Sequence, residues 1–309
     1  MMRAVDAYLD VRRAAGFDLK MVEYKLRSFA RFATERGESH ICTSTAIEWA
    51  SQASSVAARD TRLKTVVRFA QHMRLEDARH AVPPQDVFGS HKTRRVPFIY
   101  TPTDVEALLE AASRLGPPGT LRPHTYTTLL ALLVTTGLRI SEALALYVDD
   151  LTPEGLLIRQ TKFQKTRLVP LHPTAAAGLQ NYLMRRQSVA SGDEHIFVSL
   201  CGRSLSRLTI YSTFQRLLTE TGLRAGRGGH RPRLHDLRHT FAVRSLEACP
   251  SARGVISRHM LALSTYMGHA SIHHTYWYLE ATPHLMRDIA TACEAFFYGE
   301  TSCHRLPPI

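Results

Sequence analysis

Apolar runs of membrane-spanning length are missing from this 309-residue chain: none approaches the roughly 18–20 residues that a transmembrane helix requires. The opening stretch, MMRAVDAYLDVRRAAG, carries acids and arginines where a secretory leader would be apolar. Cysteine is scarce and scattered. The five residues Cys42, Cys201, Cys249, Cys293 and Cys303 form no CxxC pair, which argues against a disulfide framework and against a thiolate zinc site. Internal repeats and low-complexity tracts are absent as well. The expectation is a soluble cytoplasmic protein with no membrane partner.

What is present in excess is positive charge. The net charge is +12 and the isoelectric point about 9.8, which points to a polyanionic partner, nucleic acid first. Residues 1–90 hold 14 basic against 11 acidic side chains, and residues 91–309 hold 25 against 16. Most of the excess therefore lies in the larger C-terminal part.

The chain divides by pattern. VDAYLDVRRAAG, MVEYKLRSFARFATERG, STAIEWASQAS and ARDTRLKTVVRFAQHMRL each repeat apolar residues at three- and four-residue spacing, so residues 1–82 are expected to form a domain of about four helices. Four prolines, no helical period and the basic cluster HKTRR mark residues 81–104, and a linker is placed at 83–100. Helical patterns resume with DVEALLEAASRLG and continue through TYTTLLALLVTTG to Gly137, a plausible residue just past a helix end. Ser141 is a candidate cap for ISEALALYVDDL. Two β-rich runs, LLIRQ and RLVPL, flank a polar basic turn and read as a hairpin. Further helices follow, interrupted by the glycine- and arginine-rich loop LRAGRGGHRPR. The fold class expected is mainly α with a small antiparallel β-sheet. A second domain spans 101–300 and a tail 301–309.

Candidate chemistry begins at HDLRH. His235 and His239 lie four apart on a helix, the spacing of an HExxH zinc site. That site needs a glutamate beside the first histidine; here the position is Asp236, and Arg238 intervenes between the two rings. A cation beside a Zn²⁺ ligand works against binding. The alternative is that His235 and Arg238, one turn apart, act together on an anion, arginine with a two-pronged donor and histidine with a movable proton. Three other stretches join them. TGLRISEALAL carries Arg139 and Glu142, TKFQKTRLVPL carries Lys162 and Lys165, and MGHASIHHTYWYL carries His269, Tyr276 and Tyr278.

The combination resembles the tyrosine recombinases, or phage-integrase family. GLRISE, a lysine before RLVPL, LHDLRHTFA, and GH followed nine residues later by tyrosine together make a specific signature over roughly residues 100–285. The N-terminal part matches in layout only. The resemblance implies a helical core-binding domain and a catalytic domain that clamp duplex DNA between them. It assigns Arg139 and Arg238 as the catalytic arginines, Glu142 as a supporting acid, Lys162 as the hairpin lysine, His235 and His269 as the histidines, and Tyr278 as the nucleophile. Lys165 is the competing lysine and Tyr276 the competing tyrosine. His239 is read as a structural neighbour, His273 and His274 as facing solvent or DNA, and Trp277 as packing into the core. It further implies double-stranded DNA with specific recombination sites as the substrate, a homo-tetramer on that DNA, and no cofactor or metal. The segment HLMRDIATACEAFFYG is expected to pack on a neighbouring protomer.

The residue types suit this chemistry. A phosphodiester accumulates charge on its non-bridging oxygens as it is attacked, and fixed bidentate arginines oppose that charge. A tyrosine hydroxyl, ionising near 10 in model peptides, needs a base or a positive field to attack at neutral pH. The departing 5′-oxygen needs a proton, which Lys162 can supply. Three other readings share some of these residues: a type IB topoisomerase-like strand transferase, a non-catalytic DNA-binding relative, and a metal-dependent nuclease.

Overall fold

The structure is a computed structural model. It describes residues 1–89, 95–159, 166–189, 192–227, 230–249 and 253–268, together with Thr275 and Tyr278. The chain separates into two compact units, Met1–Arg95 and Val96–Ile309.

The first unit contains α1 (Met2–Ala14), α2 (Lys20–Glu35), α3 (Thr43–Ser51) and α4 (Val56–Glu76), the four helices that the apolar spacing predicts. In α2 the residues Leu26, Phe29, Ala30 and Ala33 fall on one face and are all buried, because successive steps of three and four return to the same side of the helix. They pack with Leu9, Trp49, Leu63, Val66 and Phe69 into one core. Ser55 caps α4 by accepting from the Ala58 amide at 3.2 Å, satisfying one of the amides that a helix start leaves unpaired. Val82 and Phe88 pack against the same core.

The second unit begins on Phe98 and Tyr100, both buried in its larger core. Thr101 and Asp104 then form a reciprocal capping box at the start of α5 (Pro102–Ser113). Next comes α6 (Leu121–Thr136), whose buried residues Leu121, Thr125, Tyr126, Leu129, Leu130, Leu132 and Leu133 surround its axis. A helix apolar on most sides belongs inside a core, and α6 packs against α5 and three later elements: the short α7 (Ile140–Leu144), α8 (Pro173–Arg186) and α10 (Asp236–Glu247). Gly137 ends α6 in the left-handed conformation, φ 61°, as its place after the apolar period predicts.

Between α7 and α8 lies a three-stranded antiparallel sheet of β1 (Leu151–Thr152), β2 (Gly155–Ile158) and β3 (Arg167–Val169). β2 and β3 pair with Leu156 opposite Val169 and Ile158 opposite Arg167, which is the predicted hairpin; its turn lies outside the described residues. α9 (Arg207–Glu220) covers the larger core, and α11 (Arg253–Met267) follows α10. A smaller cluster of Ala242, Val243, Leu246, Met260, Leu263, Met267 and Tyr278 lies between these last two helices.

One expected helix is different. ISEALALYVDDL is not continuous; α7 stops at Leu144 and its N-cap is Arg139, not Ser141. The Glu142 carboxylate accepts from the Arg139 amide at 2.9 Å, so the helix starts two residues earlier than a serine cap would place it. It ends where the backbone is drawn into pairing with residues 194–196: the Leu146 carbonyl accepts from Ile196 and the Val148 amide donates to Glu194. Among the described residues, no helix is long and apolar enough to cross a membrane.

Candidate active site

The site is built where α6, α7, β3, α10 and α11 meet. Arg139 lies just past the left-handed Gly137 and opens α7. Glu142, one turn later, is buried and receives four hydrogen bonds. Its Oε1 accepts from Arg139 Nη1 at 2.7 Å and Arg167 Nη1 at 3.1 Å; its Oε2 accepts from the Arg139 amide and Arg167 Nη2, both at 2.9 Å. Arg238 Nη1 stands 4.0 Å from the same Oε2. One carboxylate therefore faces three guanidinium groups, leaving an excess of positive charge of the kind that holds an anion. Burial disfavours ionised Glu142, but the hydrogen bonds from Arg167 and the Arg139 amide, with the charge of both arginines, outweigh it and hold the carboxyl down to about 2.

Arg238 sits in the first turns of α10 and is 3% exposed. It donates to the Gly137 carbonyl at 2.6 Å and the Met267 carbonyl at 2.5 Å. Burial, and then the nearby Arg139, lower its pKa to about 10, against the opposing influence of Tyr278 and Glu142, so it remains a cation at neutral pH. Arg139, by contrast, has a side chain 32% exposed and donates to the Gly268 carbonyl at 3.2 Å.

His235 is the N-cap of α10. Burial first, and then the Arg238 charge, push its pKa below the usual 6.5, which favours the neutral imidazole, a proton acceptor at pH 7. Its ring meets that of His239 edge-on at 4.7 Å, and His239 in turn lies 5.5 Å from the Tyr278 ring. Tyr278 itself is buried at 3% exposure. Asp236, which occupies the place of the base in an HExxH site, is engaged elsewhere. It accepts from the Arg233 amide at 2.9 Å and from the Arg233 guanidinium at 2.8 and 3.2 Å, fixing the turn that leads into α10. Among the described residues, no group of three His, Cys, Asp or Glu side chains is arranged to hold a metal ion.

The structure thus gathers Arg139, Glu142, His235, Arg238 and Tyr278, five of the residues that the motifs single out. Lys162, Lys165, His269, His273, His274, Tyr276 and Trp277, and the segment HLMRDIATACEAFFYG, lie outside the described residues. Sequence reasoning missed one member of the cluster, Arg167. A signal for it existed. Along β3, Leu168 is exposed while Arg167 shares the inward phase of buried Val169. Side chains alternate along a strand, so an arginine in the apolar phase needs an internal acid, which Glu142 provides.

Comparison with known proteins agrees with these motifs. The profile of the family described as Phage integrase family matches residues 99–284. A putative integrase/recombinase y4rB of Sinorhizobium fredii is 37% identical over 296 residues, covering 93% of this chain and 94% of that protein. The tyrosine recombinase XerD of Mycobacterium tuberculosis is 34% identical over 223 residues, 70% of this chain and 65% of that protein. Among solved structures, the XerH site-specific recombinase bound to a palindromic difH substrate aligns with a TM-score of 0.64 at 20% identity, covering 88% of this chain and 78% of that one. A lambda integrase tetramer bound to a Holliday junction aligns with a TM-score of 0.60 at 18% identity, covering 90% and 76%. At such identities the structural likeness speaks for the fold.

Proposed function

Because this chain belongs to the phage integrase family of tyrosine recombinases, we propose that the cluster around Glu142 is its strand-cleavage centre. The protein is a site-specific DNA recombinase that breaks and rejoins strands through a 3′-phosphotyrosine intermediate. The observation that carries the site assignment is the set of three guanidinium groups around one buried carboxylate, with His235 shifted toward its neutral form and its ring neighbour His239 against the buried Tyr278.

In this reading Arg139, the more exposed arginine, meets the scissile phosphate directly, and Arg238 adds a buried charge from behind. Glu142 keeps both cations oriented. His235, neutral at pH 7, accepts the Tyr278 proton as the phenolic oxygen attacks phosphorus, and the 5′-oxygen leaves. Lys162 protonates that leaving oxygen, with Lys165 as the alternative donor, and His269 hydrogen-bonds a non-bridging oxygen. Tyr278 is buried in the protein alone, so its hydroxyl has to become accessible to the phosphate for attack. Rejoining runs the same steps backwards with a new 5′-hydroxyl, and the phosphotyrosine conserves the energy of the broken bond, so no ATP or metal is required.

DNA is the partner. The finer reading is a duplex with defined recombination sites, exchanged within a homo-tetramer through a Holliday junction, in the cytoplasm. The relatives named above are recombinases and integrases, which favours strand exchange over the topoisomerase-like alternative.

The test is a nicked suicide duplex spanning the DNA that flanks the protein's own reading frame, incubated with and without EDTA. A covalent protein–DNA adduct in both conditions is the expected result. An adduct that needs a divalent ion, or free cut ends with none attached, would overturn the mechanism.

A further inference from the structure

Three consecutive carbonyls at the end of α11 each accept a hydrogen bond from a different arginine. Arg167 Nε donates to Tyr266 at 2.9 Å, Arg238 Nη2 to Met267 at 2.5 Å, and Arg139 Nη2 to Gly268 at 3.2 Å. A helix leaves its last carbonyls without partners inside the helix and carries partial negative charge there. Three cations meet that need, and the next residue in the chain is His269.

Two of these arginines already have proposed catalytic roles; Arg167 does not. Its side chain is 12% exposed, and all three of its nitrogens donate to protein acceptors: Nε to Tyr266, Nη1 and Nη2 to the two oxygens of Glu142. Gly268 lies against the guanidinium face, where an added Cβ would approach Nη1 to 2.8 Å. With its donors so engaged, Arg167 is poorly placed to grip DNA and well placed to brace other groups. It also stands at the start of β3, five residues after Lys162.

We infer that Arg167 is a positioning residue for strand cleavage, tying β3, Glu142 and the end of α11 into one frame. Through Glu142 it orients Arg139. Through Tyr266 and Gly268 it sets the backbone that leads to His269, and it follows Lys162 by five residues in the chain. Arginine suits this role because its planar fork bridges both carboxylate oxygens while the third nitrogen reaches a carbonyl; a lysine ammonium cannot span all three in that geometry. The role rests on the catalytic assignments proposed above.

Arg167→Met and Arg167→Lys should be compared with wild type on the same nicked duplexes. The rate of adduct formation is read in a single turnover, and DNA affinity by fluorescence anisotropy. Misplaced catalytic groups lower rate without lowering affinity. Arg167→Met is expected to slow adduct formation by about 30- to 100-fold and Arg167→Lys by about tenfold, each with affinity within about threefold of wild type. The double variant Glu142→Gln/Arg167→Met should be no slower than the slower single variant, because both act through one frame. Unchanged rates would overturn the proposal, and so would parallel losses of rate and affinity. If Arg167→Met melts below the assay temperature, Arg167→Lys alone decides. A wild-type protein that forms no adduct on any duplex would instead sink the phosphotyrosine reading, and this role with it.

Discussion

Arg139 reaches the carbonyl of Gly268 at 3.2 Å across a sequence separation of 129 residues. The first arginine of the site and the residue preceding His269 are thereby held together by one hydrogen bond. Charge, helix end and candidate phosphate contacts are thus built as a unit, and several measurable outcomes follow from how that unit is made.

Tyr278→Phe should abolish the covalent adduct, while Tyr276→Phe should retain it. Removing the hydroxyl removes the only atom that can join this side chain to phosphorus. Denaturing gel electrophoresis of the suicide-substrate reaction reads the result. Adduct persisting in Tyr278→Phe and missing in Tyr276→Phe would move the nucleophile.

Arg139→Ala should slow adduct formation by about 10²- to 10³-fold, the usual cost of losing one preorganised donor to a developing anion. Its partial exposure makes it the arginine best able to touch phosphate. Arg139→Lys should recover only part of the loss, since one ammonium cannot serve Glu142, Gly268 and phosphate at once. Recovery to the wild-type rate would contradict the bidentate role.

Glu142 gives the fold a distinctive acid sensitivity. Its folded pKa, about 2, lies below the ordinary 4.5. A depressed pKa adds stability above the unfolded value, and that contribution disappears as pH falls through the folded value. The window is therefore pH 4.5 down to about 2. Glu142→Gln should cost about 3–5 kcal/mol at pH 6, because it leaves buried guanidinium charge uncompensated. The gap to wild type should close as pH drops through that window. Denaturant unfolding from pH 2 to 6 measures it, and a constant gap would show that the carboxylate charge is not what matters.

His235 predicts the acid side of the rate profile. Its pKa lies below 6.5 because burial and Arg238 oppose the imidazolium. The cleavage rate should hold steady from pH 8 to 7 and decline only below 6.5, as the ring gains the proton that stops it acting as a base. His235→Gln should be slow at every pH and lack that decline. A wild-type decline centred above pH 7 would argue against this base.

Gly137→Ala should destabilise the second unit by about 1–2 kcal/mol or more, since its φ of 61° is left-handed. The added Cβ would come within 2.5 Å of Phe241 Cδ1. The Gly137 carbonyl also receives Arg238, so cleavage should slow in the same variant. Thermal unfolding and the adduct assay together check both effects.

Much of this was legible in the residue order. The four helices of the first unit follow from apolar spacing, as Leu26, Phe29, Ala30 and Ala33 illustrate. The hairpin of β2 and β3 follows from two β-rich runs around a polar turn. The Ser141 cap was misread because Glu142 offers a carboxylate to the Arg139 amide, and a local pattern does not reveal which of two adjacent polar residues wins.

By itself, the sequence determined the chemistry: which arginines, histidines and tyrosine are present, at spacings that short helices and a hairpin can display. Those spacings are local, set by 3.6 residues per helical turn and alternation along a strand. Tertiary structure alone decided how the groups serve one another. Arg139, Arg167 and Arg238 converge on Glu142 and on carbonyls 266–268 only because α6, α7, β3, α10 and α11 pack together. Such contacts span up to 129 residues, and which donor meets which buried carbonyl is settled by packing, where every unpaired polar group carries a cost.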